Sequence, residues 1–123
     1  MHFITCFDEN YLENARRFQS PKPEHLDEKR NVQYLSASHR TFGYFLDREQ
    51  AVQAVLRNAG DLHECLYTWC VVETLDEGIH PLGDLENPGA NETWFHWNEQ
   101  TDRWEPVQRP TCFACIAGGF ALG

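Results

Sequence analysis

Between Thr41 and Ala59 the apolar residues change period from that of a strand to that of a helix. Thr41-Phe42-Gly43-Tyr44-Phe45-Leu46 is rich in strand formers, and Asp47 then stands three residues before Gln50, the spacing of a capping box. Ala51, Val52, Val55, Leu56 and Ala59 recur on one helical face, while Gln53, Arg57 and Asn58 lie on the other, and Ala59-Gly60 supplies a stop. A short amphipathic helix entered directly from a strand must bury its stripe on a sheet. The spacing therefore predicts an α+β fold: an antiparallel or mixed sheet of four to five strands with one main helix, about 47–59, on one face.

Other stretches supply the strands. Residues 2–7 alternate weakly and read as a first strand ending at Asp8-Glu9-Asn10. Cys65 to Leu75 is aromatic and β-branched around Tyr67-Thr68-Trp69-Cys70-Val71-Val72, which reads as a buried strand central in the sheet. Trp94-Phe95-His96-Trp97 and Arg103-Trp104-Glu105-Pro106-Val107 flank a polar segment and suggest a hairpin whose second strand, carrying Pro106, is at an edge. Residues 13–40 hold Ser20-Pro21-Lys22-Pro23 and a charged run, and read as a long polar loop with at most a helical turn; 83–92, with Asn87-Pro88-Gly89, reads as a second loop. The small apolar segment from Cys112 to Gly123 is expected to dock as a short strand. A chain of 123 residues, 41% apolar, suffices for one domain, 1–123, with its own core.

The formal charge of −9 is unevenly placed. Acids and bases balance over residues 1–60, whereas beyond Gly60 only Arg103 and Arg109 offset a run of carboxylates. Such asymmetry opposes direct nucleic-acid binding, which needs cations to replace counterions, and favours either mere solubility or a protein partner with a basic surface. Glu73, Asp76, Glu77, Asp84, Glu86, Glu92, Glu99 and Asp102 are the candidate partner-binding residues. Homo-oligomerisation stays open.

No complete catalytic or metal constellation emerges, so the expectation is a protein without enzymatic activity, cofactor or metal. Cys112-Phe113-Ala114-Cys115 has the spacing of a zinc or redox pair, which His63 and Cys65 would have to complete. Its apolar neighbours favour buried thiols instead. The six histidines form no helical metal spacing, and Asp76-Glu77 reads as a solvated turn before it reads as an acid/base pair. Trp69, Trp94, Trp97 and Trp104, with Tyr67 and Phe95, would either fill the core or stack on a nucleotide whose phosphates Arg40, Arg103 and Arg109 would have to meet. The first residues carry neither a basic region nor an apolar run of signal-peptide length, and no stretch reaches membrane-spanning length; five cysteines without an export signal are expected to be reduced. Residence in the cytoplasm, with no membrane partner, is the expectation.

Thr41-Phe42-Gly43-Tyr44-Phe45, Ala51-Val52 through Asn58, Asp61 with Glu64, Tyr67 with Val71-Val72-Glu73, Gly78-Ile79-His80-Pro81, Trp94-Phe95, Trp104-Glu105-Pro106-Val107 and Phe120-Ala121-Leu122-Gly123 together resemble a family of small proteins of phages, mobile elements and gut bacteria. The likeness covers roughly two-thirds of the chain; residues 8–40 fall outside it, and the 83–92 loop is longer than the pattern usual there. With the acidity, the resemblance implies an accessory protein of a mobile element acting in a bacterial host cell. The leading expectation is an inhibitor of a host defence complex, anti-CRISPR-like, whose acidic half occupies the basic surface of a target such as a Cas effector. The alternatives are a small-ligand binder that sequesters a signalling nucleotide and a host accessory module.

Overall fold

The structure, a computed structural model, describes residues 1–26, 32–64, 66–80, 91–113 and 119–122. Five antiparallel strands make one sheet in the order β2-β1-β3-β4-β5, where β1 is His2–Phe7, β2 His39–Phe45, β3 Trp69–Thr74, β4 Glu92–Asn98 and β5 Arg103–Val107. The fold is α+β, and the strand from 65–75 is indeed central, although it begins only at Trp69. Pro106 sits on edge strand β5, where its missing N–H interrupts no inner ladder.

Helix α2, Arg48–Leu56, starts at its predicted cap: the Asp47 carboxylate accepts the N–H of Gln50 at 3.2 Å. Because β1 lies between β2 and β3, α2 must cross β1 to connect them. It buries Ala51, Ala54 and Val55 against Ile4, Cys6, Cys70, Val72, Phe95, Trp97 and Trp104.

A second helix covers the opposite face. Residues 13–19, expected as part of a loop, belong to α1, Glu9–Gln19. The Asp8 carboxylate caps it by accepting the N–H of Tyr11 at 2.9 Å, Glu9 occupies its first turn, and Arg16 and Arg17 its last, all favourable to the helix dipole. Tyr11, Leu12 and Ala15 form its short apolar stripe and pack with Phe7, Val71, Trp94, Phe113 and Phe120. Of the rest of the expected loop, Pro23–His25 is a 3₁₀ turn, 33–38 leads into β2, which already holds His39 and Arg40, and 27–31 lie outside the described residues, as does the expected 83–92 loop up to position 90.

Residues 111–113 form a 3₁₀ turn and 119–122 a hydrogen-bonded turn, so the described part of the last segment docks without becoming a strand. Phe113 and Phe120 nevertheless fill the second core, and Arg109 and Glu73 satisfy backbone groups that a strand ladder would otherwise have paired. Among the described residues no helix is long and apolar enough to cross a membrane.

Candidate functional site

Along α1 a polar stripe straps the extended segment 33–38 to the helix. The Asn14 side chain donates to the carbonyl of Leu35 at 2.9 Å and accepts its N–H at 2.7 Å, so one amide behaves like a strand partner. Asn10 donates to the carbonyl of Ser36 at 2.8 Å, Arg17 to that of Gln33 at 3.0 Å, and Asp8 accepts the N–H of Ser38 at 2.9 Å. Residues 10, 14 and 17 follow one another at the three- and four-residue steps of a helix face. Tyr11, Ala15 and Phe18 of α1 line one cleft together with this segment and the 111–113 turn.

The result is a cleft of about 710 Å³ walled by α1, the 34–39 segment and Cys112-Phe113. Its walls are mostly apolar: Tyr11, Phe18, Tyr34, Leu35 and Phe113 supply hydrocarbon and ring surface, while Asn14, Gln19 and His39 supply polar atoms at the margin. Phe18 is 71% and Tyr34 55% exposed, an unusual placement for two aromatic rings facing one cavity. Tyr11 stacks on Phe7 with centroids 4.5 Å apart, which fixes the cleft floor to the sheet. Burial pushes the Cys112 thiol above its ordinary pKa, so this side chain acts as a small apolar surface and not as a nucleophile. Among the described lining residues there is no lysine or arginine.

Among the described residues the candidate acids do not form one surface. Glu73 is 1% exposed, and its carboxylate accepts the backbone N–H groups of Gly119, Phe120 and Ala121. Glu92 lies opposite it on β4, with a side chain 3% exposed; its Oε2 accepts from Arg109 at 2.6 Å and from the Trp94 indole at 3.1 Å. These two are internal structural groups, which corrects their assignment to a partner surface: both fall where the alternation of β3 and β4 points to the covered face. Asp76 and Glu77 are exposed just beyond the end of β3, Glu99 and Asp102 in the β4–β5 turn. β3 and β4 run antiparallel, so the two exposed pairs sit at opposite ends of the sheet, about 20 Å apart for a six-residue strand. Asp84 and Glu86 lie outside the described residues.

The arginines expected to meet a nucleotide are dispersed as well. Arg40 pairs with Glu64 at 3.1 Å and covers the Phe42 ring, Arg109 is committed to Glu92 and the carbonyl of Phe113, and Arg103 is exposed on β5. Trp94, Trp97 and Trp104 are core residues, with His63 lying flat on Trp97 at 4.1 Å. The Nδ1 of His63 faces the carbonyl of Tyr67 at 2.6 Å, so that nitrogen carries the proton. Cys65 and Cys115 lie outside the described residues, and among the described ones no three His, Cys, Asp or Glu side chains converge on a metal-sized space.

One polar cluster escaped the sequence reading. Glu9 Oε1 accepts from Thr68 Oγ1 at 2.9 Å and the Trp69 indole at 3.1 Å, with His96 Nε2 3.4 Å away. Partial burial works against the carboxylate, yet the hydrogen bonds from Thr68, Trp69 and His96 outweigh it and hold the Glu9 pKa below the usual value. Comparison with known proteins finds no matching family model, no matching curated protein and no matching solved structure.

Proposed function

We propose that this is a binding protein whose cleft between α1 and the 34–39 strap takes a small, neutral, largely apolar molecule, with binding and not turnover as its role. The observation that carries this reading is the 710 Å³ cleft with exposed Phe18 and Tyr34 at its mouth. That volume falls within the roughly 300–1,000 Å³ of small-molecule sites, and a few marginal polar groups around an apolar floor are the usual composition of such a site. A phosphorylated nucleotide is disfavoured, because its charges would meet no cation on the described walls.

A thermal-shift panel of neutral aromatic and aliphatic compounds alongside nucleotides tests this. A ligand present at 100 times its dissociation constant stabilises by about 2.7 kcal/mol, a readily measured shift. The expected result is stabilisation by members of the neutral set, lost in Phe18→Ala. A panel in which only nucleotides stabilise, or in which nothing does, would remove the reading.

The second reading, the anti-defence inhibitor, is favoured by the exposure of Asp76 and Glu77 at one pole and Glu99 and Asp102 at the other. Two acidic poles suit a basic groove that spans the molecule. Charge reversal at each pair, with binding to purified CRISPR effector complexes measured at low and high salt, tests it. Unchanged binding in both variants would eliminate the electrostatic account.

A further inference from the structure

We propose that residues 119–121 form a proton-sensitive latch, which the Glu73 carboxylate holds shut behind the cleft wall and releases on acidification. Regulation of the cleft rests on the ligand-binding reading; the latch itself does not. Three successive N–H groups, of Gly119, Phe120 and Ala121, converge on this one enclosed carboxylate, the last two at 3.1 Å each. Gly119 has φ +82, a conformation that lets consecutive N–H groups turn to one side and make an anion-binding nest. Oε2 accepts from Gly119 and Phe120 and Oε1 from Ala121, so all three hydrogen bonds draw on the carboxylate charge, and a proton on the carboxyl weakens them together.

What the clasp holds is Phe120. Its ring centroid lies 5.4 Å from Phe7, 5.3 Å from Trp94 and 5.4 Å from Phe113. Phe113 is itself a wall of the cleft and packs 6.2 Å from Tyr11 on its floor. A turn that leaves Glu73 withdraws Phe120 and frees Phe113 to move, which reshapes the cleft from behind.

The groups facing Glu73 set the range in which this happens. Burial raises its pKa, the three backbone N–H groups lower it, and the Glu92 charge opposite on β4 raises it again, with a net shift upward from the ordinary carboxyl. Arg109, after β5, is engaged by Glu92 and relieves only part of that repulsion. From α1 the Tyr11 phenol faces the same carboxylate, and its own pKa is raised by burial and by the charge of Glu73. The three N–H groups favour the charged carboxylate, so proton uptake by the enclosed Glu73 weakens the clasp, and the net upward shift places that uptake above the range of an ordinary exposed glutamate.

Nuclear magnetic resonance on the full chain from pH 8 to pH 4 tests the latch. The Glu73 carboxyl, the amides of Gly119, Phe120 and Ala121, and the Phe113 ring should shift in one transition whose midpoint lies above that of an ordinary glutamate. In Glu73→Gln that transition should vanish, and hydrogen exchange of the three amides should quicken about tenfold or more. Amides that stay fixed while Glu73 titrates would overturn the latch in the wild type alone, whatever the variant does. Unchanged exchange in a folded Glu73→Gln would overturn it too. A thermal-shift panel at neutral pH in which no neutral compound binds would strike the cleft reading and leave this transition standing.

Discussion

The indole N–H of Trp104 donates to Oδ1 of Asn58 at 3.1 Å, and the same oxygen accepts the backbone N–H of His63 at 3.0 Å. One side chain thus ties edge strand β5 to the turn that follows α2. Asn58 also has φ 51, in the left-handed region that asparagine tolerates better than alanine.

Asn58→Ala should therefore cost about 3–4 kcal/mol, from the two hydrogen bonds accepted by its Oδ1 at ~1 kcal/mol each and ~1–2 kcal/mol of backbone strain. Asn58→Gly removes the same bonds and avoids the strain, so it should be the less damaging of the two. Urea unfolding of both variants checks this. Equal losses would show that backbone conformation contributes nothing at this position.

Arg109 and Glu92 form an enclosed ion pair, with side chains 14% and 3% exposed. Arg109→Leu leaves the Glu92 carboxylate buried without its cation, and a loss of about 3–5 kcal/mol is expected. Arg109→Leu combined with Glu92→Leu should cost less than the single arginine change, because no charge is stranded. A double-mutant cycle by chemical denaturation measures the difference.

The depressed Glu9 pKa fixes the sign of a pH effect. A carboxylate held below its unfolded value contributes stability that is present above the unfolded pKa and lost as pH falls through the folded one. Wild type should thus exceed Glu9→Gln in stability at neutral pH, and the gap should close in acid. Trp69 fluorescence should follow the same titration, since its indole N–H donates to this carboxylate. A gap independent of pH would mean that the charge is irrelevant.

Cys6 and Cys70 face each other across β1 and β3, both fully enclosed, and burial pushes the Cys70 thiol well above its ordinary pKa. A thiol reagent should modify these two only as fast as the protein unfolds, with rates that rise steeply in denaturant. Rapid labelling of either in native buffer would contradict their placement. Cys70→Ser should cost about 1–3 kcal/mol, because it introduces a hydroxyl among apolar side chains.

Phe18→Ser and Tyr34→Ser should leave stability within about 0.5 kcal/mol, as expected for exposed positions away from special backbone. Circular dichroism melts check this, and the same variants should lose whatever apolar compound the cleft accepts. Large destabilisation would make these rings part of the core.

The elements legible in the sequence are those whose signals are local. Asp47 with Gln50 marks the start of α2, Pro106 an edge, and the Trp69–Thr74 run a buried strand, because a cap, a missing donor and a β-branched cluster act within a few residues. Helix α1 is obscured by its narrow stripe: Tyr11, Leu12 and Ala15 are few, and their burial depends on Phe113 and Phe120, about a hundred residues away. The cleft was readable only in part. Asn10, Asn14 and Arg17 at helical steps mark a polar face, but nothing local shows that it binds the chain's own 33–38 segment. Glu73 and Glu92 looked like surface acids because composition counts charges without showing which face of a strand they occupy.

Strand β1 draws its neighbours from far along the chain, β2 at 39–45 on one side and β3 at 69–74 on the other. During synthesis it therefore leaves the ribosome with both edges bare, and it has to wait for more than sixty further residues before its second edge is covered. At about 5–20 residues per second that wait is several seconds, long compared with hydrophobic collapse. Helix α1 follows immediately, and its Tyr11, which stacks on Phe7 in the folded chain, is near at hand in the interval. The order in which the strands emerge thus differs from the order in which they lie, and the β3 edge of β1 is the pairing that closes late.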